Sequence, residues 1–280
     1  MEQLTDAEVA IEAAAAGAAV VRRMYGATVE RYDKSPTDFA TEADLHAERA
    51  ILEVIRAARP DDAVIGEEYG ATGRAARTWL VDPLCGTLNF AARTPLFSVN
   101  VALPATGVAA VADPLTHELF WTDGTTTHVR HATAHATADA TTDADSPAHS
   151  PAAPPVTDVP AEPSATSLLV DVDIDAPPDA DFLGAQLLAD EEFRAAFAGR
   201  VSSTTLTLAW VAVGRRAAYI TDGTLIDSVH FTAGTALCQA AGCTVTDFRG
   251  DPLHTGPGLI AAADPATHRR LLDLIAPHLR

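Results

Sequence analysis

The chain is short of positive charge. One lysine, Lys34, stands among 280 residues, and the other fixed cations are 18 arginines. Acidic residues outnumber basic ones 38 to 19, which leaves a formal net charge of −19. A surface this acidic repels phosphate backbones and disfavours nucleic-acid binding. It also repels anionic substrates at long range, so a phosphate-handling site needs metal or local basic groups to offset the field. Cysteine is scarce too. Cys85, Cys238 and Cys243 make an odd count with no C-x-x-C spacing. That excludes a disulfide framework and fits a reducing cytoplasm. Long apolar runs are missing. The longest, near residues 13–21, is alanine-rich and bounded by Glu12 and Arg22, too short and too weakly apolar to span a bilayer. No charged leader with a cleavage site precedes it. The expectation is a cytoplasmic protein that binds neither membrane nor nucleic acid.

What is present suits a globular fold. Hydrophobic residues make up 48% of the chain, and its length allows one large domain or two closely packed halves. Helices are expected over residues 5–25 and 44–58, the second ended by Pro60. Strands are expected at 63–65, 79–81, 97–103 and 108–111, with a hairpin of 117–122 and 125–129 around Asp123-Gly124. Beyond residue 164, strands at 167–172, 217–221, 244–247 and 259–262 alternate with helices at 182–197, 206–213, 231–241 and 265–278. Such alternation predicts layered α/β packing. Residues 131–164 are Ala, Thr, Asp, Pro and His with almost no large apolar side chain. They cannot bury enough surface to offset their ordering entropy and are expected to form a mobile, low-complexity insert. The division is then residues 1–130, the insert, and residues 165–280.

Four segments carry candidate chemistry: Asp38-Phe39-Ala40-Thr41-Glu42-Ala43-Asp44, Gly66-Glu67-Glu68, Asp82-Pro83-Leu84-Cys85-Gly86-Thr87-Leu88-Asn89-Phe90, and the stretch Val229 to Gly234. The first three put carboxylates at strand ends and helix starts. Oxygen ligands of that kind suit Mg²⁺, which binds few carboxylates and leaves room for a substrate phosphate. Thr87 and Asn89 fall where a helix begins, and free backbone N–H groups there favour an anion.

In order and spacing, these segments resemble the motifs of the inositol monophosphatase family of metal-dependent phosphomonoesterases: D-x-x-T-x-x-D, G-E-E, D-P-[LI]-D-G-T-x-N-F and W-D-x-A-A/G. The likeness covers nearly the whole chain outside the insert. It implies an αβαβα sandwich. It also implies a metal held by Glu67, Asp82 and the Leu84 carbonyl, with Asp44 and Thr87 orienting the attacking water. Gly86, Thr87 and Lys34 would then lie at the substrate phosphate, and family members commonly dimerise.

Two departures stand at the second metal position. Cys85 replaces the third motif's second aspartate. The register fixed by Gly234 and Gly242 puts His230 at the last motif's aspartate and Val229 at its tryptophan. Asp227 lies three residues too early to substitute. Gly223 stands where inositol-specific members often carry a substrate-binding carboxylate. A thiol and an imidazole favour a softer ion such as Zn²⁺ over Mg²⁺, or no ion. Cys85 and His230 are therefore expected to lie close together, with Cys85 at a helix N-terminus that stabilises its thiolate, as a nucleophile and its base. The leading expectation is an enzyme acting on a small phosphorylated or similarly activated metabolite, repurposed in biosynthesis. The competing one is a non-catalytic, ligand-binding or structural subunit, as a homodimer or with a heteromeric partner. Cys238 and Cys243 are expected in the core.

Overall fold

Two threonines open the two long helices in the same way. Thr5 caps α1 (Asp6–Met24) and Thr41 caps α2 (Glu42–Ala58). Each hydroxyl accepts a backbone N–H of the first turn, while a carboxylate three residues on, Glu8 or Asp44, accepts the threonine's own N–H. The computed structural model describes residues 3–35, 38–132, 156–175, 182–223 and 225–279.

Between and after these helices come β1 (Arg31–Asp33), β2 (Phe39–Thr41), β3 (Ala63–Gly66), β4 (Gly70–Thr72), β5 (Thr78–Cys85) and the short α3 (Thr87–Ala91). Then follow β6 (Ser98–Leu103), β7 (Val108–Ala112), β8 (Glu118–Asp123), β9 (Thr127–Ala132), β10 (Val156–Pro160) and β11 (Leu169–Asp173). The remaining elements are α4 (Leu183–Ala189), α5 (Glu191–Ala196), β12 (Ala198–Ser202), α6 (Leu206–Ala212), β13 (Ala218–Thr221), α7 (Thr232–Ala240), β14 (Thr244–Thr246), β15 (Leu259–Ala262) and α8 (Pro265–Ile275).

An eight-stranded sheet runs β10-β9-β8-β7-β6-β5-β3-β4, and a five-stranded sheet runs β12-β11-β13-β15-β14. Strands β6 and β7 are buried along their whole length, because helices cover both faces of the larger sheet. Their side chains alternate accordingly. Val99, Val101 and Leu103 face the α1–α2 layer, whereas Ala102, Ala109 and Val111 face α6 and α7. On the far side of α6 and α7, Tyr219, Leu259 and Ala261 belong to the smaller sheet. Its other face packs against α4, α5 and α8 through Leu187, Phe193 and Leu271. The layers are therefore αβαβα, as the resemblance implied. Gly17 lets α1 approach α2 closely, since a Cβ there would lie 2.8 Å from Ile51.

Three expectations need correction. The insert is shorter than its composition suggested. Residues 131–132 finish β9, and 156–160 form β10, paired antiparallel from Val156↔Ala132 to Pro160↔His128. Polar groups hold that strand: Arg130 donates twice to Asp158, at 2.8 Å each, and Trp121 Nε1 once at 3.0 Å. The expected mobility of residues 133–155 lies outside the described residues. The helix expected at 182–197 is two helices, because Asp190 turns extended and caps α5 by accepting the Phe193 N–H at 2.8 Å. Strands β1, β2, β4 and β12 add to the expected set. Among the described residues, no helix is long and apolar enough to cross a membrane.

Candidate active site

The pocket lies where strand ends of both sheets meet the starts of α2, α3, α6 and α7. Its first wall is built on Glu48, one helical turn beyond Asp44. Glu48 is fully buried. Its carboxylate accepts the backbone N–H groups of Glu68 at 2.8 Å and Tyr69 at 3.0 Å. That grip shapes the turn after β3, and it explains Gly66, where a Cβ would lie 1.8 Å from Glu48 Oε1. Glu67 projects from this turn. Burial, and then the neighbouring Asp82, push its carboxyl up to about 8, so the group favours a cation beside it. Lys34 supplies one, with Nζ 3.0 Å from Glu67 Oε1 and 2.7 Å from Glu68 Oε1. Burial opposes the lysine's charge, but the two glutamates outweigh it and raise its pKa.

The second wall is the end of β5. Its register against β6 slips between Asp82, opposite Asn100, and Cys85, opposite Ser98. Three steps on one strand match two on the other, which is a bulge. The bulge leaves Asp82 fully buried, with Oδ1 accepting the Leu84 N–H at 3.1 Å. Gly86 then turns the chain into α3 at φ 105°, and a Cβ there would meet the Leu96 carbonyl at 3.0 Å, so both conformation and space require glycine. Thr87 Oγ1 lies 2.9 Å from Asp44 Oδ1 and 3.0 Å from the Leu84 carbonyl. Asp44 Oδ2 accepts the Thr41 N–H and hydroxyl at 2.7 and 2.6 Å. Burial pushes the Asp44 carboxyl up to about 6. Helix α3 has only five residues, and Asn89 turns away to the Leu96 and Ser203 carbonyls.

The third wall brings Cys85 and His230 to Asp82. One ligand atom of each of the three lies within 4.8 Å of the others. His230 Nδ1 sits 2.7 Å from Asp82 Oδ2, with the side chain 45% exposed toward the pocket. Burial opposes its charge, yet Asp82, and then the Cys85 contact and the Glu67 charge, raise the imidazole's pKa. Cys85 Sγ accepts the Thr205 N–H at 3.2 Å and lies 3.1 Å from Thr205 Oγ1. The surroundings oppose the expected thiolate. Burial, and then the Asp82 charge, raise the Cys85 pKa, and contact with His230 only partly offsets them. Cys85 ends a buried strand, one residue short of the helix start.

These walls enclose about 610 Å³, lined also by Asp173, Asp175, Ser203 and Phe231. Sequence reading missed Glu48, Asn100, Thr205 and Asp173. Only Glu48 left a trace, as the second carboxylate of an i, i+4 pair with Asp44. Asp173 accepts the Tyr219 hydroxyl at 2.5 Å, and burial pushes its carboxyl up to about 6. At Gly223 a Cβ would lie 2.8 Å from the Phe231 ring, so that ring excludes a carboxylate there. Cys238 is fully buried, its thiol donating to the Leu208 carbonyl at 3.3 Å, and Cys243 packs against the same core.

The sequence model of the inositol monophosphatase family matches residues 2–280. The chain belongs to that family. The Nus factor SuhB of Pasteurella multocida is 31% identical over 97% of this chain and 96% of its own. The inositol-1-monophosphatase of Caulobacter vibrioides is 40% identical over 121 residues, 40% of this chain and 47% of that protein. Among solved structures, the extragenic suppressor protein suhB of Bartonella henselae aligns with a TM-score of 0.74 at 23% identity, over 96% of this chain and 97% of that one. The inositol monophosphatase of Thermotoga maritima aligns at 0.72 and 20% identity, over 97% and 96%.

The inositol monophosphatase family implies metal, and the residues answer differently at its two positions. Glu67, Asp82 and the Leu84 carbonyl give three hard oxygens beside a pocket, a donor set that fits one Mg²⁺. At the second position two of three ligands are a thiol and an imidazole. That set does not fit Mg²⁺.

Proposed function

We propose that the chain is an enzyme acting on a small phosphorylated or similarly activated metabolite in a biosynthetic reaction, with altered or reduced metal dependence. The observation that carries this reading is the hydrogen-bonded run from Asp44 through Thr87 to the Leu84 carbonyl, on the pocket wall beside Glu67 and Asp82. A water held at Thr87 would be oriented by that hydroxyl. Asp44, ionised above about pH 6, would draw its proton through Thr87. Magnesium bound by Glu67, Asp82 and Leu84 would supply Lewis acidity to a phosphoryl oxygen. Gly86 and Thr87 would cradle the phosphate. His230 and Cys85 line the same pocket beside that anion. The Phe231 ring over Gly223 argues against inositol phosphate as the preferred substrate.

The test is turnover with Mg²⁺ across a panel of phosphate esters. Inositol monophosphate is expected to turn over far below about 10 s⁻¹, an ordinary enzyme value. Another ester is expected to exceed it at least tenfold and to lose that rate in Thr87→Ala. A second reading, a non-catalytic subunit alone or with a partner chain, is favoured by one finding: relatives matching nearly end to end carry the name of a Nus factor. Ligand-induced thermal shifts with no turnover on any ester would favour it.

A further inference from the structure

We propose that Asp82, Cys85 and His230 form a site for a soft divalent cation of the zinc type, with its fourth position open to the pocket. This deepens the reading above, because the ion would share the substrate's pocket. Its test reads ion binding rather than turnover, so either can fail alone.

The donor set comes first. A carboxylate oxygen, a thiol sulfur and an imidazole nitrogen within 4.8 Å of one another match the mixed ligands zinc takes. Zinc bonds of about 2.0–2.3 Å in a tetrahedron place neighbouring ligand atoms roughly 3.5 Å apart, so an ion would part the His230–Asp82 pair, now at 2.7 Å, and draw the thiol in by a small shift. Three protein ligands with an open fourth position are the pattern of reactive rather than purely structural zinc. Magnesium, which demands oxygen ligands in near-octahedral array, is disfavoured by the same three groups.

The supporting shell is the second observation, independent of donor type. Asp82 and Cys85 are each held by a group that is not itself a ligand, and the His230 backbone is fixed on both sides. Asp82 Oδ1 is taken by the Leu84 N–H, which leaves Oδ2 facing His230. Cys85 Sγ is fixed by the Thr205 N–H, a contact that suits a metal-bound thiolate as well as a thiol. Asn100 ties the two substituted positions together: its Nδ2 donates to Thr205 Oγ1 at 2.7 Å and to the His230 carbonyl at 3.1 Å. His230 N–H donates to Ser228 Oγ at 3.2 Å.

The experiment uses the full chain stripped of metal and titrated with Co²⁺, a spectroscopic stand-in for zinc. One Co²⁺ per chain is expected to give a thiolate-to-metal charge-transfer band and the intense visible bands of four-coordination. Zn²⁺ should displace it, and excess Mg²⁺ should not. Cys85→Ser should abolish the charge-transfer band. It should also weaken binding by more than about a hundredfold, because even supporting groups are worth about 10–100-fold. His230→Gln, on the half-exposed ring, should weaken binding similarly without touching the buried thiol, while Cys238→Ser and Cys243→Ser change nothing. A charge-transfer band that survives Cys85→Ser, weak six-coordinate bands, or displacement by Mg²⁺ would each overturn the proposal.

Discussion

On the side of α2 and β3, the pocket keeps hard oxygens: Glu67 on a turn gripped by Glu48, and the Leu84 carbonyl beside Thr87 and Asp44. On the side of α6 and α7, it carries a sulfur and a nitrogen on Asp82. Asp82 belongs to both sides. The difference is one of ligand chemistry. On the soft side Thr205 holds the Cys85 sulfur, and Asn100 bonds both Thr205 and the His230 backbone carbonyl.

The comparison can be broken or sharpened by mutation. Gly66→Ala should have the largest effect, since its Cβ would fall on a carboxylate already holding two backbone N–H groups. The expected loss is about 3 kcal/mol of stability, at the upper end for overpacking, read from urea unfolding. A loss under about 1 kcal/mol would mean that the hard side is looser than its hydrogen bonds indicate. Next, Cys85→Asp with His230→Asp makes both sides hard. Magnesium-dependent turnover on simple phosphate esters should rise by about tenfold or more, because a second ion stabilises the leaving oxygen. An unchanged rate would place the defect elsewhere. The smallest effect concerns Cys85 itself. Its raised pKa means that little thiolate exists at pH 7, so alkylation should run severalfold slower than for a free thiol of pKa ~8.5 and accelerate only at higher pH. Peptide mass analysis after timed labelling checks this, and rapid modification at neutral pH would contradict the burial argument.

Much of this geometry was legible before any coordinates. The T-x-x-D spacing of Thr41 and Asp44 is a helix start as well as a motif, and the structure closes that capping box. Counting back from Gly234 placed His230 opposite the end of β5, and its ring meets Asp82 there. What escaped were groups whose partners lie far along the chain. Asn100 reads as one polar residue in an apolar strand, and only the fold brings it to Thr205, 105 residues away. The state of the Cys85 thiol escaped for the same reason: its neighbours set the helix start, but the chain around Thr205 sets its burial. The strand at 156–160 was hidden because its stability comes from Asp158 bonding Arg130 and Trp121 across the sheet, not from apolar content.

The capping box at Thr41 has an evolutionary consequence. Asp44 accepts the N–H of Thr41, the residue that caps α2, and braces Thr87 with its other oxygen. Glu48, a turn later, holds the turn that carries Glu67. A lineage that had lost all chemistry would still gain stability from Asp44, Glu48 and Gly66, because loss of a cap alone costs about 1 kcal/mol. Persistence of these residues among descendants therefore records selection for folding. Thr87, which contributes one hydroxyl and caps nothing, is the residue whose loss would mark the end of catalysis.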